Sequence, residues 1–223
     1  MSKYYLCSVH LVIELIIKEI KTDWRNKYPV LGILLYLTSI IVISYMSFIS
    51  FISSEVWNAI FWLIMLFTSV NAIAKSFVQE ENRSLYYYFL VSPNKIIASK
   101  LIYSNFYQLI LVILTFLIFG IFLGFPKIEV WFLINLILGS IGLASAFTMV
   151  SALASKAENS SMLMAILGFP IIIPILLLAT SNSKKLLLGA SFGDVSSNIL
   201  TLLSVNIIII ALSFILFPFT WKS

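Results

Sequence analysis

Few side chains in this 223-residue chain could carry acid–base, redox or metal chemistry. The single cysteine, Cys7, permits neither an internal disulfide nor a thiolate cluster. The single histidine, His10, stands three residues on and would share a helix face with Cys7. Two ligands of this kind do not make a metal or haem centre, and packing at an interface is the default reading of the pair. No G-x-x-x-x-G-K-[ST] phosphate loop occurs, nor any Gly-Lys dipeptide, so ATP hydrolysis in which this chain takes part must reside on another subunit. H-E-x-x-H, G-x-S-x-G and C-x-x-C-H are likewise missing from the sequence. These residues define no enzyme, no bound cofactor and no metal site.

The polar residues inside apolar stretches are sparse as well. Every Asp and Glu falls outside the long apolar segments, which argues against a proton-coupled transporter, because such relays need intramembrane carboxylates or bases. Asn71, Gln108, Asn135 and Asn206 are the expected buried polar groups, read as helix-to-helix hydrogen bonders. The run Gly139–Ala146 (GSIGLASA) supplies small residues four apart, Ser140/Ala144 and Gly142/Ala146, which permit close helix approach. Pro170 and Pro174, in GFPIIIPILLL, each remove a backbone donor; they mark a kinked helix, either a hinge or a static bend.

The elements that carry these residues follow from composition. The chain is 61% hydrophobic and 10% charged, whereas a soluble domain is about 25% charged. It reads as an all-α polytopic membrane protein, and its +5 net charge as a matter of topology rather than nucleic-acid binding. Six segments are long enough to cross ~30 Å of hydrocarbon: Val30–Ile52, Val56–Ala74, Leu101–Phe122, Val130–Leu153, Met162–Thr180 and Ile199–Phe217. Eleven basic residues, Lys3, Lys18, Lys21, Arg25, Lys27, Lys75, Arg83, Lys95, Lys100, Lys156 and Lys222, fall on one side of this pattern. Lys127, Lys184 and Lys185 fall on the other. The positive-inside rule then places both termini in the cytoplasm. In residues 1–29, Leu6, Val9, Ile13, Ile16, Ile20 and Trp24 form one helical face, which predicts an amphipathic elbow helix on the inner membrane surface before Pro29 turns the chain inward.

The expected outer connections are Ser53–Glu55, Leu123–Glu129 and a longer Ser181–Asn198, to which no role is assigned. Inside, Ser155–Ser161 is short, and Gln79–Lys100 (QEENRSLYYYFLVSPNKIIASK) is the longest and most chemically mixed stretch. Ser92 and Pro93 mark a helix start within it. By residue type alone the loop is either a solvated turn with tyrosines at the headgroup belt or a short helix offered to a soluble partner.

The elbow, the six spans and the enlarged loop between spans two and three resemble the ABC-2 class of transporter membrane subunits. Three runs resemble, within that class, the haem exporter protein B (CcmB) family of cytochrome c maturation: Leu66–Tyr103, Leu133–Leu178 and KEIKTDWRNKY (Lys18–Tyr28). The first is the most specific, with AKSF, QEE, LYYY and SP in succession. The resemblance implies a single transmembrane domain over residues 1–223 in the bacterial inner membrane, working as permease subunit of an ABC transporter-like complex. Its implied partners are a CcmA-like ATPase, CcmC- and CcmD-like membrane proteins and a periplasmic CcmE-like haem chaperone, with a homodimer as the membrane unit. Haem is then cargo of the complex, and ATP sits on the partner. By the same resemblance, Gln79, Glu80, Glu81, Leu85 and Tyr86 approach the ATPase in a coupling loop at 79–100, and Ser92 and Pro93 shape the turn into span three. An ABC-2 permease for a lipid, polysaccharide or drug shares this architecture, as does a non-transporting scaffold subunit. Whether haem is translocated or haem-loaded chaperone is released stays open at this level.

Overall fold

A computed structural model describes residues 2–25, 27–48, 52–73, 91–126, 129–155 and 160–222. The described residues form seven helices: α1 (Ser2–Arg25), α2 (Lys27–Ser47), α3 (Ser54–Ile73), α4 (Pro93–Leu123), α5 (Val130–Ala154), α6 (Ser160–Leu187) and α7 (Phe192–Lys222). Five of them, α3 to α7, are long and apolar enough to cross a membrane, while the described apolar part of α2 is the shorter Leu31–Ser47. The first expected span is thus present as the helix α2, of 21 residues. The elbow is a separate helix, as its periodicity requires. Pro29 does not separate the two helices but lies in the first turn of α2, where its missing N–H matters little.

Local chemistry sets the helix ends. Ser92 is the extended N-cap of α4 and Pro93 opens the helix, as expected; Gly124, at φ 81°, ends it. The boundary between α6 and α7 differs from expectation. Ser181–Asn198 is not a long loop, because α6 runs on to Leu187 and α7 begins at Phe192. Gly189, at φ 86°, closes α6: its N–H donates to Leu186 O at 3.1 Å and the Ala190 N–H to Lys185 O at 3.0 Å, the paired bonds of a Schellman cap. Asp194 then accepts from the Ser191 N–H (3.0 Å) and hydroxyl (2.8 Å), which supplies one half of a capping box and starts α7 at once. Polar Thr180, Asn182 and Ser183 stay helical because Asn182 and Ser183 face the bundle interior, where other helices satisfy them. The helix α6 is also continuous through Pro170 and Pro174.

The bundle is built around α5, 17 of whose 25 residues are buried. Its small-residue run works as the sequence implies. A Cβ on Gly139 would overlap the Trp62 ring, and one on Gly142 would meet Asn206 and Ile175. Contacts at the helix ends show the alternating up–down path. Trp57 Nε1–H, on the first turn of α3, donates to Gly124 O just past α4 (3.1 Å), and Trp131 stacks on Phe192 at the starts of α5 and α7. At the opposite end Ile96, Ile97 and Leu101 of α4 cluster with Ala152 of α5 and Phe217 of α7. The first end carries an aromatic cluster in which Trp57 stacks on Phe61 at 5.2 Å and meets Phe119 edge-on at 5.0 Å.

The outer surface of the bundle is apolar. On α4, Ile102, Phe106, Ile110, Ile113, Leu117 and Ile121 are all exposed, at helical spacing of three or four. A stripe of this length facing water would be an aggregation surface; facing lipid it is what a spanning helix requires.

Candidate functional site: a docked N-terminal helix and a buried polar seam

At the end of the bundle where α4 begins, α1 lies against α4 through its polar side. Glu19 and Asp23 are four apart and share a face; Lys100 and Tyr103 are three apart on α4 and meet them. Lys100 Nζ donates to Glu19 Oε2 at 3.0 Å, with 3% of the lysine side chain and 13% of the glutamate exposed. The Tyr103 hydroxyl donates to Asp23 Oδ2, and its ring stacks on Tyr107 at 6.1 Å. Lys100 is therefore not a loop cation counted only for topology. It is the buried anchor of α1, eight residues past the N-cap at Ser92.

Of the expected apolar stripe of α1, Ile13 and Ile20 are exposed and Ile16 is half-buried, as are Leu11, Val12 and Leu15 beside it. Ile13, Ile17 and Ile20 are exposed, and His10, Glu14, Lys21 and Arg25 form an adjoining exposed polar stripe. His10 Nδ1 lies 3.3 Å from Glu14 within that stripe. One helix thus presents three surfaces: a half-buried one that is apolar at Leu11–Val12 and Leu15–Ile16 and charged at Glu19 and Asp23, exposed isoleucines, and an exposed polar stripe. That is the requirement for lying in a membrane interface.

Of the residues implied to contact an ATPase, Gln79, Glu80, Glu81, Leu85 and Tyr86 lie outside the described residues. Ser92 and Pro93 lie at the base of that loop, one helical turn and more before Lys100. Pro170 and Pro174 lie at mid-helix in α6, away from this junction.

The second polar assembly is a seam between α3, α5 and α6 toward the opposite end. Asn135 Nδ2 donates to Ala179 O (2.9 Å) and Ser183 Oγ (2.8 Å), and its Oδ1 accepts from Asn182 Nδ2 (3.1 Å). Trp62 Nε1–H donates to the same Ser183 Oγ (2.9 Å), and Asn58 Nδ2 to Thr180 O (2.9 Å). Elsewhere Gln108 Nε2 donates to Ser69 Oγ at 2.7 Å, and Asn206 Nδ2 to Leu138 O at 2.8 Å. Gln108, Asn135 and Asn206 are buried helix-to-helix donors, as read from the sequence. Asn71 is not: it is exposed and its amide donates to Phe67 O of its own helix at 2.9 Å, so a local bond replaces the expected interhelical one. Sequence reading missed Asn58, Asn182 and Ser183. The last two sat in an expected loop, although Gly189 and the Ser191/Asp194 pair signalled the later helix end.

A helical bundle with a lipid-suited exterior and five helices long enough to cross a membrane defines a multi-pass membrane protein. The CcmB protein family model matches residues 10–220. The chain belongs to the CcmB family, whose members are membrane components of haem export in c-type cytochrome biogenesis. A comparison with curated proteins returns no match.

Proposed function

We propose that this chain is the six-span permease subunit of an ABC transporter-like complex in the bacterial inner membrane. Both termini are cytoplasmic, and the chain couples ATP turnover on a CcmA-like subunit to haem delivery toward a periplasmic CcmE-like chaperone. CcmC- and CcmD-like proteins complete the complex, two copies of the chain make the membrane unit, and no cofactor is held on this chain. The family match supports the haem-export role, and the described helices agree with an odd-plus-even path in which α1 and the start of α4 share one end.

The observation that carries the coupling reading is the Lys100–Glu19 pair. The expected ATPase contact, residues 79–100, ends on a lysine whose charge is buried against the interfacial helix. A displacement of that loop by an ATPase bears directly on α4 and on α1 with it, rather than dissipating in a slack connection. ATP binding would shift the transporter between two arrangements only to the extent that the ATPase favours one of them. In that scheme α3 and α6 move as rigid levers.

The test is haem staining of c-type cytochromes in a strain lacking the gene, with and without a restored wild-type copy. Selective loss and full rescue are expected; unchanged cytochromes would overturn the assignment to haem delivery.

A further inference from the structure

The two halves of α6 are held very differently. From Ala179 onward the helix is tied to its neighbours. Asn135 bonds to Ala179 O, Ser183 and Asn182, Trp62 to Ser183, and Asn58 to Thr180 O. Lys184 Nζ adds an ion pair with Glu55 Oε1 of α3 at 2.9 Å. Ile175, Ala179, Asn182 and Ser183 are fully buried in this half. The first half has nothing comparable. Of residues 162–169 only Gly168 is buried, and Met162, Ile166 and Phe169 are exposed. Among the described residues, no side-chain hydrogen bond or ion pair joins 162–174 to another helix.

Between the two halves the backbone itself is weakened. Pro170 and Pro174 carry no N–H, so the carbonyls of Ile166 and Pro170 lose the donors that close a helical turn, and in lipid no water replaces them. The prolines are four residues apart and fall on one side of the helix, so the two gaps reinforce each other. Gly168, two residues before the first proline, adds the least restricted backbone of any residue type. Packing does not demand this glycine. A Cβ there would meet Ile172 Cδ1 at 3.4 Å, an ordinary contact, whereas Gly139 and Gly142 are fixed by close approaches of other side chains.

We propose that Gly168–Pro174 is a working hinge: the second half of α6 stays fixed on α3 and α5, and the first half swings against the bundle as one arm. A static bend needs contacts that hold its angle, and those contacts are concentrated on the far side of the prolines. Where an ATPase drives the chain, the lever within α6 is this first half. The hinge itself does not depend on that coupling or on the cargo.

The test is pulsed electron–electron double resonance on the full-length chain in lipid nanodiscs, in a Cys7→Ser background. One spin-label pair, Met162→Cys with Ile102→Cys on α4, reports the first half of α6. A second pair, Leu177→Cys with Leu133→Cys on α5, reports the second half, and all four sites are exposed. A broad distance distribution is expected for the first pair and a narrow one for the second. Pro170→Ala with Pro174→Ala restores both backbone donors and should narrow the first distribution to the width of the second. Gly168→Ala should narrow it in part, and it carries the test if thermal denaturation shows that the double proline variant does not fold. A first distribution as narrow as the second, or a breadth that survives every variant, would overturn the hinge and leave a static bend.

Discussion

Lys100 of α4 donates to Glu19 of α1 across a contact that hides all but 3% of the lysine side chain. A peripheral helix held only by apolar contacts would be free to slide over its neighbours. This one is pinned by a charge pair and, one turn further along each helix, by Tyr103 and Asp23.

Lys100→Ala should destabilise the protein by about 2–3 kcal/mol, because it strips a mostly buried carboxylate of its ammonium partner. Limited proteolysis should cut α1 faster in this variant, and its thermal midpoint should fall. The exchange of Lys100→Glu with Glu19→Lys should recover part of the loss. If the two single variants and the exchange behave alike, the pair does not hold α1.

Crowding at α5 leads to a second expectation. Gly139→Leu would drive its side chain into Trp62, and overpacking of this kind costs about 1–3 kcal/mol. Gly32→Ala, on an exposed face of α2 with nothing within 4 Å of the added carbon, should be neutral or slightly stabilising. Denaturant or thermal midpoints of the two purified variants in the same detergent give the comparison, and similar values would refute the tight α3–α5 approach.

The polar seam should behave as a unit. Single interhelical hydrogen bonds in membranes contribute only about 0.6 kcal/mol on average, but Asn135 joins α6 at three points. Asn135→Leu should therefore cost about 1–2 kcal/mol, and combining it with Ser183→Ala should cost less than the sum of the two, because both remove the same bond. A double-mutant cycle on unfolding free energy measures this, and strict additivity would mean that the seam carries no coupling.

Glu80→Lys with Glu81→Lys should reduce co-purification of the ATPase subunit and the ATP turnover it shows in the complex, with the chain's own thermal midpoint unchanged. Lys185→Ala, exposed in the last turn of α6 at the opposite end of the bundle, serves as the charge-altering control. Normal assembly and normal turnover in the Glu80/Glu81 variant would remove the coupling role from this loop.

Membrane residence, helical class and the approximate positions of the spans were legible from the sequence, because each depends on the composition of one contiguous stretch. Leu101–Phe122 and Val130–Leu153 lie within α4 and α5 for that reason. Ser92 and Pro93 marked the α4 start because capping is decided by the backbone groups of one turn. The small-residue run of α5 announced close packing, although its partner, Trp62, could not be named from a local pattern.

What only the tertiary structure decided are the pairings. Asn182 and Ser183 look like loop residues in isolation, and they stay helical because Asn135 and Trp62 await them on other helices. Asn71 resembles Asn135 in sequence context, yet it turns outward and bonds its own backbone. Lys100 read as a surface cation, and Glu19, 81 residues away, makes it a buried anchor. A hydrogen bond or an ion pair between distant elements has no signature at either residue. Its energy depends on the distance between two groups and on the water excluded around them, and both are set only when the helices have packed.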